Sequence, residues 1–337
     1  MTRHYDKVQL AHGGGGALSR DLIKDEIVSR FGGGPLDGLP DAARLCVKSG
    51  ELLFTTDSYV VTPLEFPGGN IGSLAVHGTV NDLAVCGARP RWLSLGLILE
   101  EGLPFEVLRR VLDTIRAASE ACGVRVATGD TKVVARGQCD GLFINTSGIG
   151  EPIKGFSLGT DRIQAGDCVL ASGTLGDHGM AVLAAREGID ITCGPVSDSA
   201  PVHRLVGAAA DFSHGIRFMR DPTRGGVASV LNEAVEGRPI GILLREKDLP
   251  FAPGTRAAAD MLGLDLLNVA CEGRLLMICD AGAGAAILDV WRRMPEGRGA
   301  CCIGEVTPRG GTVLLETVMG VQRLVDVPQG EVLPRIC

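Results

Sequence analysis

Short apolar segments of strand length alternate with longer segments of helical period along both halves of this chain. That alternation confines it to layered α/β or α+β units. In the first half, Leu45-Cys46-Val47 and Leu52 to Asp57 read as a hairpin turned at Lys48-Ser49-Gly50-Glu51. Trp92 to Leu99, Val124 to Thr128 and Leu142 to Thr146 read as further strands. Between them lie a helix from about Asn70 to Cys86, with Asn70 as its N-cap, and one opened by Pro104 and stopped by Gly123. A break over 150–160 marks a domain junction. In the second half, 167–171, 240–244, 275–279 and 302–306 predict strands. Helices are expected up to Glu187, over 201–212, through Asn232-Glu233, and over 255–262 and 283–294. The division that follows is a glycine-rich segment over 1–40 carrying a helix from Leu18 to Phe31, a first domain over 41–155, a second over 160–318 and a tail over 319–337. Each domain is expected to be a two-layer unit.

A chain of 337 residues with 45% hydrophobic content is long enough for two cores. Its 48 glycines, set against 4% aromatic residues, point to tight turns and close backbone approach. The formal net charge of −7, with no basic run, speaks against a nucleic-acid partner. The start lacks an apolar signal segment, and no run of about 18 apolar residues occurs, so no membrane span is expected. The 11 cysteines are irregularly spaced, without a C-x-x-C pair. That usage fits a reduced cytoplasmic protein better than a disulfide scaffold or a zinc module.

Three carboxylates, Asp57, Asp82 and Asp130, fall at strand ends or in the helix of small residues. Hard divalent cations take oxygen ligands, and magnesium is commonly shared between a few carboxylates and substrate phosphates. Lys132, two residues from Asp130, offers a point charge to such phosphates. Any one of these acids is more often a cap than a ligand, but several together favour a nucleotide–metal site. Asp221 and Glu233 flank another glycine-rich helix start, and Ser172 to Gly179 follows a strand as a loop that could cradle phosphate. No G-K-[ST] occurs, so a Walker loop is absent. Gly155-Phe156-Ser157-Leu158-Gly159 fits G-x-S-x-G but has no feeding strand. Glu272, in the turn Cys271-Glu272-Gly273-Arg274, reads as a surface acid or a general base, and His214 as a structural histidine or a second candidate base.

The chain ends in Pro334-Arg335-Ile336-Cys337. A terminal thiol can be carried deep into a pocket because nothing follows it. The terminal carboxylate raises its pKa and Arg335 lowers it, which suits a thiol loaded with a group better than an unaided nucleophile.

Ala11-His12-Gly13-Gly14-Gly15-Gly16, Thr55-Thr56-Asp57-Ser58, Gly78-Thr79-Val80-Asn81-Asp82, Thr128-Gly129-Asp130-Thr131-Lys132, Asp221-Pro222-Thr223-Arg224-Gly225-Gly226 and the terminal P-R-I-C occur in this order. Together they resemble the HypE family of hydrogenase maturation factors, within the aminoimidazole-ribonucleotide-synthetase-like superfamily. The resemblance implies a two-domain fold of mixed sheets packed with helices, and a homodimer whose first domains pair through their sheets. It implies an ATP- and magnesium-dependent carbamoyl dehydratase acting on Cys337. HypF would load the carbamoyl group, and the HypC–HypD complex would accept the cyanide made from it. Residue by residue, it places Asp57, Asp82, Asp130 and Asp221 on the metal. Asn81, Thr131, Lys132, Gly225 and Gly226 go with them around the nucleotide, and Lys132, Glu272, His214 and Cys337 in catalysis. A selenophosphate synthetase would want a reactive cysteine near the start, whereas the first here is Cys46. A thiamine-phosphate kinase gives no reason for a terminal cysteine, and a non-catalytic docking partner gives none for the retained acids.

Overall fold

The computed structural model describes residues 6–13, 21–32, 47, 50–189, 193–327 and 336–337. Gly14 to Gly16, Gly33, Gly34, Leu45, Cys46, Lys48, Ser49, Pro334 and Arg335 lie outside the described residues. Of the helix expected over Leu18 to Phe31, the described part is helical, with a π-helical stretch Ile23–Val28 that docks Glu26 against Arg109 and Arg30.

The first domain contains β1 (Leu53–Tyr59), a small hairpin of β2 (Glu65–Phe66) and β3 (Gly69–Asn70), helix α1 (Ile71–Val85), β4 (Ala88–Glu100), helix α2 (Phe105–Cys122), β5 (Arg125–Val134) and β6 (Leu142–Pro152). Its sheet runs β1-β6-β4-β5, antiparallel except for the parallel pair β4–β5. β1 pairs with β6 over its whole length, Leu53 opposite Gly150 and Tyr59 opposite Ile144. Paired in this register with the distant β6, β1 turns Thr55, Asp57 and Tyr59 under α1 while Phe54, Thr56 and Ser58 face outward; the first strand and turn of the expected hairpin fall largely outside the described residues. β5 runs on past the expected end at Thr128 to Val134, so Asp130 and Lys132 belong to a strand and not to a loop.

α1 starts on a capping box: Asn70 Oδ1 accepts the N–H groups of Gly72 and Ser73 at 2.8 and 3.2 Å, and Ser73 Oγ accepts the N–H of Asn70 at 3.1 Å. It is buried almost all round because it lies between two cores. Leu74, Val76 and Val80 pack into the first domain with Leu108, Leu112 and Ile115 of α2. Ala84 and Val85 pack into the second domain beside Leu205, Met277 and Trp291.

The second domain is built on β7 (Cys168–Ala171), β8 (Ile216–Arg220), β9 (Gly241–Arg245), β10 (Leu276–Cys279), β11 (Cys301–Thr307), β12 (Val313–Glu316) and β13 (Gln322–Leu324). The sheet order is β13-β12-β9-β11-β7-β10-β8. Its helices are α3 (Asp177–Glu187), α4 (His203–Ala208), α5 (Gly226–Val235), α6 (Pro253–Leu262) and α7 (Ala281–Trp291). Here the two-layer expectation is corrected. Val169, Ala171, Leu276 and Ile278 face a core with α5, while Leu170, Met277 and Cys279 face a second core with α4 and α7. Strands apolar on both sides need helices on both sides, so this domain has three layers. The helix expected over 201–212 is α4 followed by the 3-10 turns Ala210–Gly215. The tail expected from 319 begins with β13, antiparallel to β12. Among the described residues no helix is long and apolar enough to cross a membrane.

Leu112 is fully buried between α1 and α2. Leu112→Ala is expected to lower the free energy of unfolding by about 2–5 kcal/mol in denaturant titrations. A loss under about 1 kcal/mol would contradict the packing described.

Candidate functional site

The two domains meet along α1, and Asn81 joins them there. Its Nδ2 donates to the carbonyls of Ala200 and Glu272, each at 3.0 Å, and its Oδ1 accepts the N–H of Val202 at 2.8 Å. Both amide protons are therefore engaged by the protein. Asn81, expected beside a nucleotide, is instead the stitch between the domains. The next residue, Asp82, points out of the helix toward β1, where Thr55 Oγ1 donates to it at 2.9 Å.

Around this joint four carboxylates gather. Asp57 lies on the helix-facing side of β1, taking a hydrogen bond from the Tyr59 hydroxyl at 3.2 Å. Asp221 follows the end of β8 and is buried, as is Glu272, in the turn before β10. Burial pushes the Asp82 carboxyl above its usual range, the hydrogen bond from Thr55 opposing it and the charge of Asp57 adding to it. Burial, then the Asp82 charge, takes Asp221 up to about 7. Burial first, then the charges of Asp221, Asp198, Asp57 and Asp82, hold the Glu272 carboxyl well above its usual range. The turn holding Glu272 is anchored from behind: Asp198 Oδ1 accepts the Glu272 N–H at 3.1 Å. Gly273 lies so close to the Asp198 carbonyl that no Cβ fits there.

The chain end enters this same cleft. Ile336 is buried in the first domain's core, and Val60 N–H donates to a Cys337 main-chain oxygen at 3.2 Å. The Cys337 side chain accepts a hydrogen bond from Arg224 and lies in the field of Glu272 and Asp57. Burial first and Glu272 second raise its pKa, while Arg224 pulls it down. The thiol is protonated and unactivated, and the cation that serves it is Arg224; Arg335 lies outside the described residues. Gly225 and Gly226 turn the chain into α5 with φ of 71° and 58°. A Cβ on Gly226 would stand 2.7 Å from the carbonyls of Leu267 and Val269.

Other expected residues are not brought here. Ser58, Asn145, Gly96 and Asp130 form one transverse row of the first sheet, on its open face. Asp130 is thus three strand spacings from β1, roughly 14 Å away, and on the opposite face from Asp57. Lys132 pairs with Asp130 at 2.9 Å on that exposed edge, and Thr131 N–H donates to Asp130 at 2.9 Å. His214 is exposed in the 3-10 turns after α4, and only its carbonyl is engaged, by Arg217 at 3.1 Å. Glu233 pairs with Arg220 at the surface, 3.6 Å away. The Ser172–Gly179 loop is filled by protein: Asp177 takes the hydroxyls of Thr174 and Thr255, and Arg274 donates to the Thr174 carbonyl at 2.9 Å.

Among the described residues no three His, Cys, Asp or Glu side chains converge closely enough to form a metal cage. The donors around the joint are all carboxylate oxygens, the set that suits a hard cation completed by water and phosphate. Burial first and mutual repulsion second raise the pKa values of Asp82, Asp221 and Glu272, and a cation relieves the repulsion.

Arg224, Asp198, His178 and the serines at 197 and 199 were missed as site residues. Arg224 stood in a recognised motif but beside more familiar acids. The run Pro195 to Pro201 has neither period nor punctuation that marks it. Yet Ser197, Asp198 and Ser199 contact His178, Glu272 and His77 in turn.

Comparison with known proteins gives two family matches: the AIR synthase related protein N-terminal domain over residues 40–151 and its C-terminal domain over 164–316. The chain is 47% identical to the carbamoyl dehydratase HypE of Rhodobacter capsulatus, covering 100% of both chains. It is similar to a crystal structure of the hydrogenase maturation protein HypE in complex with ATP, with a TM-score of 0.93, 43% identity and coverage of 98% of this chain and 99% of that one. A HypE–HypF complex structure matches with a TM-score of 0.80 and 39% identity, covering 93% of this chain and 100% of that one. A thiamine-monophosphate kinase from Stenotrophomonas maltophilia, 19% identical with a TM-score of 0.65 over 96% of this chain and 100% of that one, shares the fold alone.

His77 of α1 has Nδ1 3.0 Å from Ser199 Oγ, and burial lowers its pKa from 6.5 to about 4. A depressed pKa means that protonation favours the unfolded chain. The stability His77 confers is therefore complete above about pH 6.5 and disappears as pH falls toward 4. The difference in unfolding free energy between wild type and His77→Gln should shrink over that window. A difference that widens on acidification would contradict a neutral, buried His77.

Proposed function

Because the chain belongs to the HypE family of carbamoyl dehydratases, within the AIR synthase related proteins, we propose that it dehydrates an S-carbamoyl group on its own Cys337 at the expense of ATP. The product is an S-cyanate whose cyanide becomes a ligand of the iron in a [NiFe] hydrogenase. The observation that carries this reading is the placement of the half-buried last residue beside Glu272 and Arg224, in the cleft where the acids meet.

Hydroxide is a poor leaving group, so the carbamoyl oxygen must be phosphorylated before it departs. The thiocarbamate R–S–C(=O)–NH2 passes its oxygen to the γ-phosphoryl group of ATP and loses one nitrogen proton. The imidate phosphate R–S–C(=NH)–OPO3 then loses the second nitrogen proton and phosphate, leaving R–S–C≡N. The sum is thiocarbamate and ATP giving thiocyanate, ADP and phosphate. Arg224 orients the sulfur and offers positive charge to the oxygen as it becomes anionic. Glu272 takes the nitrogen protons, and the Asp198 contact fixes its turn within reach. Asp57, Asp82 and Asp221 would hold magnesium. Bound there, magnesium would supply positive charge toward the triphosphate and would favour the ionised form of the neighbouring acids, Glu272 among them.

The open face of the first sheet, with Phe54 68% exposed and Ile98 41% exposed, is the surface through which two copies pair. Asp130 and Lys132 lie on that face, so pairing puts them beside a nucleotide bound near the interface, where Lys132 contacts phosphate. HypF is the carbamoyl donor and the HypC–HypD complex the cyanide acceptor, and the reaction runs in the cytoplasm.

Carbamoylated protein incubated with ATP and magnesium should lose the mass of one water from its Cys337 peptide, and lose none without ATP. Cys337→Ala should bind ATP normally and give no such loss. Glu272→Gln should slow the step by about a hundredfold or more. ATP consumption with the carbamoyl mass retained would point to a kinase acting on a free small molecule.

A further inference from the structure

One buried group beside the tail has no part in the chemistry above. His178, the second residue of α3, is fully buried. Its Nε2 lies 2.6 Å from the carbonyl oxygen of Ile336, and its Nδ1 lies 2.8 Å from Ser197 Oγ. A carbonyl only accepts, so Nε2 carries the proton and donates it, and Nδ1 accepts from the Ser197 hydroxyl. Ser197 Oγ in turn accepts the N–H of Ser199 at 3.1 Å, which leaves its own proton for the imidazole. The ring is set edge-on to Phe66 of the first domain, centroids 5.4 Å apart. Every link of this relay has one direction, and it ends on the peptide unit that bears the reactive cysteine.

Cys337 has two incompatible needs. Loading by another protein requires the tail outside, and dehydration requires it against Glu272. Resting on the dehydratase reading, we propose that His178, oriented by Ser197, is the latch that holds the tail inward and sets the balance between loading and dehydration of Cys337. It touches no reacting atom and is a positioning residue. The inward end is otherwise held by the Ile336 side chain and by Val60 N–H. A single neutral hydrogen bond biases such an equilibrium by about tenfold, enough to favour the inward state without trapping it.

Full-length wild type, His178→Phe, His178→Gln and Ser197→Ala would be compared in two assays. In one, protein already carbamoylated on Cys337 is followed for ATP-dependent water loss. In the other, unloaded protein is treated with iodoacetamide and labelling of the Cys337 peptide is timed. Phe keeps a ring against Phe66 but removes the donor, and Gln returns an N–H to Ile336. The expectation is that His178→Phe slows water loss about tenfold and speeds Cys337 labelling, with loading undiminished. Ser197→Ala should shift both in the same directions by less, and Gln should restore both toward wild type. Unchanged labelling in His178→Phe, at a wild-type unfolding midpoint, overturns the latch. Equal losses in Phe and Gln with lowered midpoints also overturn it and leave His178 a packing role. If wild type loses no water while His178→Phe still labels faster, the latch stands and the dehydratase reading falls.

Discussion

The cleft depends on one amide. Asn81 binds two carbonyls and one N–H from the second domain, and all three belong to segments that build the site. Glu272 is one of those partners, so the contact that joins the domains also fixes the candidate base. The arrangement is economical in a physical sense: the groups that must be dry are placed where two cores already exclude water. α1 serves both cores at once, through Leu74 and Val80 on one side and Ala84 and Val85 on the other. A rotation between the domains would therefore break hydrogen bonds and expose apolar surface together.

Electrostatically the cleft is unfinished as a single chain. Burial pushes Asp221 and Glu272 toward their neutral forms, the charge of Asp82 adding to the first and that of Asp221 to the second. Like charges in a water-poor space are tolerated where a cation is to be received. Among the described residues the positive charge directed at the thiol is that of Arg224, from the glycine-rich turn that starts α5. The ion pair of Asp130 and Lys132 faces away, on an exposed sheet edge.

Much of this was legible in sequence. The Asn70 cap of α1 and the Gly123 stop of α2 follow from local rules, and the acids at 57, 82, 221 and 272 stand out by their motifs. What could not be read is long-range. The pairing of β1 with β6 spans nearly ninety residues, and alternation alone does not choose a partner. The second helical layer of the second domain was missed because β7 and β10 are too short for period to separate one buried face from two. The domain-joining bonds of Asn81 were not legible because a polar residue in an apolar helix looks the same whether it meets a ligand or a carbonyl. Ser197 to Ser199 carried no signal because their partners are tertiary.

In the proposed reaction the substrate is Cys337 of the same chain, and that alters what the kinetics can mean. With Cys337 tethered and seated in the cleft, there is no free concentration to vary and no Michaelis constant for the thiol. The encounter is intramolecular, and its effective molarity is set by the fraction of time the arm spends inside. Dilution leaves that fraction untouched. A second turnover must wait until another molecule relieves the sulfur of its cargo, so each polypeptide works as a carrier that is emptied and refilled.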